Sequence, residues 1–120
     1  MAAYLGASLP SRSAVLGFVH TGVIASQTGR DVIRLDLVEP THLESLVSEL
    51  SRHGLHVAFV LDSQIEVDEF KRRFASTPYG ALDWPPRARF QGAFDTKCWY
   101  AEDARALGSP YATDVLNVVE

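Results

Sequence analysis

The residues that could do chemistry here are one thiol, Cys98, four histidines, His20, His42, His53 and His56, and two aspartates that close apolar runs, Asp36 and Asp62. A cysteine–histidine pair can supply a nucleophile, but only where an electropositive, accessible setting forms the thiolate. Lys97 lends Cys98 some positive charge, yet nothing diagnostic surrounds it, so an inert, half-buried thiol is the preferred reading. His53 and His56 straddle Gly54, and His42 stands at the far end of the same segment. Zinc needs three or four converging ligands, and no third partner is evident; no metal or cofactor is expected. Asp36 and Asp62 fall at the carboxyl ends of two strand-like runs, where open α/β sheets place ligands. Aspartates at such turns also accept local amide bonds, a role that needs only local geometry and is preferred. The chain contains no phosphate loop, nucleophile-elbow pentapeptide or zinc-finger spacing.

The elements that position these residues centre on Thr41–Gly54. Thr41-His42-Leu43-Glu44 reads as a capping box. Leu43, Leu46, Val47 and Leu50 then repeat at helical spacing, and Gly54 closes the helix in the left-handed region. Val32–Leu37 before it and His56–Leu61 after it read as strands. Upstream, Val15–Ala25 and Asp31–Val38 predict an antiparallel hairpin around the polar turn Ser26–Arg30. A second helix is predicted over Glu66–Ala75, with Val67, Phe70 and Phe74 inward and Pro78 as its stop. Asp68, Glu69, Lys71, Arg72 and Arg73 form its solvent face, with acid early and base late as the helix dipole favours. Arg87–Phe94 predicts an edge strand, Trp99–Leu107 a short helix ending at Gly108, and Thr113–Val119 a final strand. The expected fold is α+β: one mixed sheet of four to five strands with two main helices packed on one face.

The 120 residues make one domain, 1–120, with 1–12 as a flexible arm or short extra strand. A hydrophobic content of 47% with 22% charged residues suits a folded globule. The net charge of -4 disfavours nucleic acid as main partner, because phosphate binding needs a positive face; it suits a basic protein. One cysteine excludes an internal disulfide and agrees with a reducing compartment. Residues 1–9 lack a basic segment and apolar block of signal-peptide type, and no run approaches a membrane span. A cytoplasmic protein with no membrane partner is expected.

Tyr79, Trp84, Phe90, Phe94, Trp99 and Tyr100 crowd an irregular stretch rich in Pro and Gly, with Arg87 and Arg89 among them. Tyr, Trp and Arg dominate binding hot spots, and loops carry function more often than regular elements. The equal alternative is that these rings cap a small core. Within Val60–Trp84, the run Val60-Leu61-Asp62, Ile65, Phe70, Phe74, Pro78-Tyr79-Gly80 and Leu82-Asp83-Trp84 resembles the barstar family of small ribonuclease inhibitors. That resemblance implies a protein that plugs a ribonuclease active site with acidic residues, Asp83 being the matching carboxylate. The chain differs at Ser63, where the family has glycine, lacks the asparagine after tyrosine–glycine, and carries Pro85-Pro86 where the inhibitory helix would run. The expected function is a non-catalytic acidic protein-binding module, an antitoxin or immunity protein that masks a basic toxin, with Tyr79, Asp83, Trp84, Trp99 and Tyr100 as contacts. The alternative is a small enzyme or ligand-binding domain with a pocket near Asp36 and Asp62. A homodimer built from strand edge and aromatics is a third.

Overall fold

The computed structural model describes residues 13–18, 31–91, 96–105 and 114–117. Among these residues six strands form one sheet: β1 (Ser13–Gly17), β2 (Asp31–Arg34), β3 (His56–Asp62), β4 (Ala88–Gln91), β5 (Thr96–Tyr100) and β6 (Asp114–Asn117). Their order is β2-β1-β3-β5-β4-β6. β1 runs parallel to β2 and β3, β5 runs antiparallel to β3 and β4, and β6 is parallel to β4. Only β5 therefore opposes the common direction.

β3 holds the centre because its run Val57-Ala58-Phe59-Val60-Leu61 is apolar on both sides, as a strand shielded from water on two faces must be. On one face Ala14 and Leu16 of β1, Val57, Phe59 and Leu61 of β3, and Trp99 of β5 form the main core. Helices α1 (Leu43–Arg52) and α2 (Ser63–Arg73) pack there together. α1 contributes Leu43, Val47, Leu46 and Leu50, the stripe read from its sequence, and α2 contributes Val67 and Phe70. Phe70 lies 5.2 Å from Phe59 and 5.0 Å from Phe74, ring centre to ring centre. The opposite face of the same strands carries Val15, Ala58, Val60, Cys98 and Ala88, all fully buried as well. This is the α+β class expected, with both helices on one face.

Several local expectations are corrected. β1 and β2 are parallel, so the predicted antiparallel hairpin does not form; a parallel pair needs a long crossover rather than a tight turn. The turn Ser26–Arg30 lies outside the described residues, as do 1–12. β2 stops at Arg34 because the chain winds into a 3-10 turn, Leu35–Leu37, closed by the Val38 amide on the Leu35 carbonyl at 3.2 Å. The capping box is absent. Pro40 starts a second 3-10 turn, Pro40–His42, so Thr41 is already wound inside it rather than in the extended state a helix cap requires. His42 precedes α1 instead, and Ser45 Oγ donates to its carbonyl at 3.1 Å. Gly54 does take φ 79°, as the left-handed stop demands.

α2 begins three residues earlier than predicted and ends at Arg73, before Pro78 exerts any effect. The Phe74 carbonyl is taken by the Thr77 amide (2.9 Å) and hydroxyl (2.8 Å), which turns the chain away. Arg73 is not on the solvent face: its Nη2 donates to the Val38 carbonyl at 2.8 Å, tying α2 to the segment after β2. Residues 96–100 form a strand where a helix starting at Trp99 was predicted, and only Ala101–Arg105 winds, as a 3-10 turn. That strand raises the sheet to six and places β4 between β5 and β6 rather than at an edge. Among the described residues no helix is long and apolar enough to cross a membrane.

Phe59 touches the sheet, α2 and the loop beyond it, so its truncation leaves a cavity that none of the three can fill. Phe59→Ala is expected to cost about 3–5 kcal/mol, read as a lowered midpoint in urea unfolding with an unchanged slope.

Candidate functional site

Of the five residues expected to contact a partner, three are core. Tyr79 is 3%, Trp99 4% and Trp84 7% exposed, so these rings present little area to another molecule. Tyr100 is half-buried and Asp83 exposed. The core alternative is thus the observed one for Tyr79, Trp84 and Trp99, and their burial corrects their assignment as contacts. Tyr79 stacks on Phe59 at 5.5 Å and on Trp84 at 6.2 Å. Both indoles can be buried because both N–H groups find carbonyls: Trp84 Nε1 donates to Tyr100 and Trp99 Nε1 to Trp84, each at 3.1 Å.

These anchors pin the loop that carries Asp83. The Gly80 amide donates to the Thr77 carbonyl (3.3 Å) and the Leu82 amide to the Tyr79 carbonyl (3.1 Å), giving consecutive turns. Gly80 is pressed so closely on the preceding turn that an added Cβ would stand 1.9 Å from the Phe74 carbonyl oxygen. Leu82 adopts φ 46°, a region costly for a branched residue, and its buried side chain holds it there. Pro85 and Pro86 then fix the path into β4, where the Arg87 amide donates to the Cys98 carbonyl at 2.8 Å. Asp83 sits exposed between buried Leu82 and buried Trp84. Among the described residues no hydrogen bond or ion pair engages its carboxylate. The result is an exposed carboxylate on a backbone held by turns and buried neighbours.

Arg87 closes the other side of this region. Its Nε and Nη2 bind the buried Asp103 carboxylate at 2.6 and 2.8 Å, and its guanidinium lies 5.4 Å over the Tyr100 ring. A paired, forked contact of this kind is what allows an aspartate to be buried. Tyr100 in turn meets His56 edge-on at 4.5 Å. Cys98 lies behind this layer, fully buried. Burial, then the negative charge of Asp103, pushes its thiol up to about 12.

The two aspartates at the strand ends are also engaged. Asp36 receives Nε and Nη2 of Arg34 at 3.2 and 2.6 Å, and that bonding holds its carboxyl below its ordinary range. Asp62 accepts Thr96 Oγ1 at 2.8 Å across the β3–β5 pair, while its own amide donates to Glu66 Oε1 at 2.7 Å. Both serve local structure. His53 pairs with Glu49 at 2.9 Å at the exposed end of α1, far from His42, and His20 lies outside the described residues. Among the described residues no three His, Cys, Asp or Glu side chains converge as a metal would require.

A concave feature lies at the other end of β3 from Asp62. An open groove of about 780 Å³ runs between α1 and the Ala101–Arg105 turn. Val47, Val57, Tyr79 and Ala101 form its floor, with Ser48, Ser51 and Arg52 on the α1 side and Glu102 opposite. Its α1 wall was readable in principle, since Ser48, Ser51 and Arg52 recur at helical spacing beside the apolar stripe. Glu102 was not, because its segment was assigned to a helix.

No protein-family model, curated protein or solved structure matches this chain.

The buried thiol has a direct chemical consequence. At pH 8, alkylation of native Cys98 by iodoacetamide is expected to run at least about a hundredfold slower than in the urea-unfolded chain, as neutral, inaccessible thiols do. Mass spectrometry of timed samples measures the ratio, and equal rates would show that the thiol is accessible.

Proposed function

We propose that this chain is a non-catalytic acidic protein-binding module of the antitoxin or immunity type, acting in the cytoplasm by masking the surface of a basic partner. The observation that carries the reading is Asp83: an exposed carboxylate, unengaged among the described residues, on a loop whose neighbours on both sides are locked in the core. A charged group held in place before association loses little conformational freedom on binding, and that is how preorganised recognition gains affinity. The net charge of -4 adds long-range attraction toward a basic partner and speeds encounter. The resemblance to the barstar family points to the same residue, and to a ribonuclease as the kind of partner.

The groups that would carry catalysis favour binding over turnover. The Cys98 thiol is buried and protonated at neutral pH, Asp62 is buried on Thr96, and Asp36 is closed on Arg34. Each would have to leave a structural partner or the interior before acting on a substrate. The contact surface in this reading is the exposed strip Pro78, Ala81, Asp83 and Pro85, with Tyr79, Trp84 and Trp99 as its foundation rather than its face.

Affinity capture from the native host with wild-type chain and with Asp83→Lys, followed by mass spectrometry, tests this. The wild type is expected to retain a basic protein in near-equal amount, and the charge reversal to weaken that retention at least tenfold (about 1.4 kcal/mol) with the melting temperature kept. Equal retention by both forms, or recovery of small molecules alone, contradicts it.

A further inference from the structure

The groove beside α1 has no role in the Asp83 contact, although Tyr79 belongs to both. Its volume of about 780 Å³ lies in the range of sites that take a short peptide or a molecule of similar size. The chemistry of its walls is uneven. Arg52 on the α1 side is closed on Glu49 at 2.9 Å, so its charge is already balanced. Glu102 opposite is 62% exposed and pairs with His56 Nδ1 at 3.4 Å, a contact that carries opposite charge only when the imidazole is protonated. The groove therefore presents an apolar floor with an outward carboxylate at one side and two serine hydroxyls, Ser48 and Ser51, at the other. That arrangement suits a side chain with a long aliphatic stem and a cationic head. The stem lies along the groove while the head meets Glu102, as lysine and arginine commonly lie on partly apolar surface.

We infer that this groove is a second recognition site, one that takes an extended segment of the protein partner carrying an arginine or lysine between aliphatic residues. The inference rests on the protein-binding reading above and names the partner chemistry at a different surface. Charge and shape both argue for this occupant. The groove lies open to solvent, so a chain segment can enter it without a lid. The outward Glu102 carboxylate on its rim disfavours an acidic peptide. The serines on the α1 wall can bond the carbonyls and amides of an extended backbone while the floor holds its side chains.

The test uses the isotope-labelled whole chain and two synthetic peptides, acetyl-Leu-Arg-Leu-amide and acetyl-Leu-Glu-Leu-amide. The arginine peptide is expected to shift the backbone amide resonances of Ser48, Ser51, Leu55 and Ala101, and the glutamate peptide to leave them in place. Glu102→Gln, an exposed change that spares the core, is expected to weaken the arginine peptide at least about threefold, the size of a solvent-exposed ion pair. Absence of these shifts at millimolar peptide overturns the inference, as do equal shifts by both peptides or undiminished binding by Glu102→Gln. Asp83→Lys separates the two sites. Peptide shifts unchanged in that variant support a groove that works independently, whereas capture lost in Asp83→Lys while the wild type ignores the arginine peptide would sink the groove and keep the Asp83 contact.

Discussion

An indole cannot be buried without a partner for its N–H, since an unmet donor in the interior costs about 1–3 kcal/mol. This chain buries two, and it meets both obligations in one place: Trp84 bonds the Tyr100 carbonyl and Trp99 bonds the Trp84 carbonyl. The first bond fastens the 79–86 loop to the end of β5, and the second fastens β5 to the loop. Phe59, Phe70, Phe74 and Tyr79 continue from there as a train of ring contacts into the sheet and α2. Remove that reciprocal pair and the loop loses its only indole anchors, the Asp83 carboxylate loses its fixed position, and Tyr79 no longer closes the groove floor.

Legibility in the sequence followed the range of the forces involved. α1 could be read because its stripe and Gly54 are decided within a few residues, and β3 because a strand apolar on both faces writes an unbroken run. The capping box misled because Pro40 pre-sets a 3-10 turn one step earlier, and local motifs compete for the same residues. Trp99 and Tyr100, the last two residues of β5, read as the start of a helix because the strand's identity depends on pairing with β3 and β4, partners distant in sequence. The parallel sense of β1 and β2 was hidden for the same reason. The aromatic residues around Asp83 are expected as contacts but lie in the core: a ring at an interface and a ring in a core leave the same residue in the sequence, and only packing separates them. The groove escaped notice because it joins α1 to a turn whose form was itself non-local.

The charged residues divide between fixed and free. Arg73, Arg87, Asp62 and Asp103 are spent on holding segments together, each through bonds to carbonyls, hydroxyls or an opposite charge. Asp83 faces solvent with no such partner among the described residues, and Glu102, paired only with His56, faces solvent too. Among the described residues the exposed large apolar side chains add no comparable focus: Leu37 is 72% and Ile65 80% exposed, on separate elements.

The shared position of Trp84 and Trp99 also decides what this protein can report about itself. They are the only two tryptophans, so ultraviolet emission from the chain arises almost wholly at the seam between loop and β5. Its colour and intensity follow the wetting of that seam alone, while fraying of α1, which carries no aromatic ring, passes unseen by fluorescence.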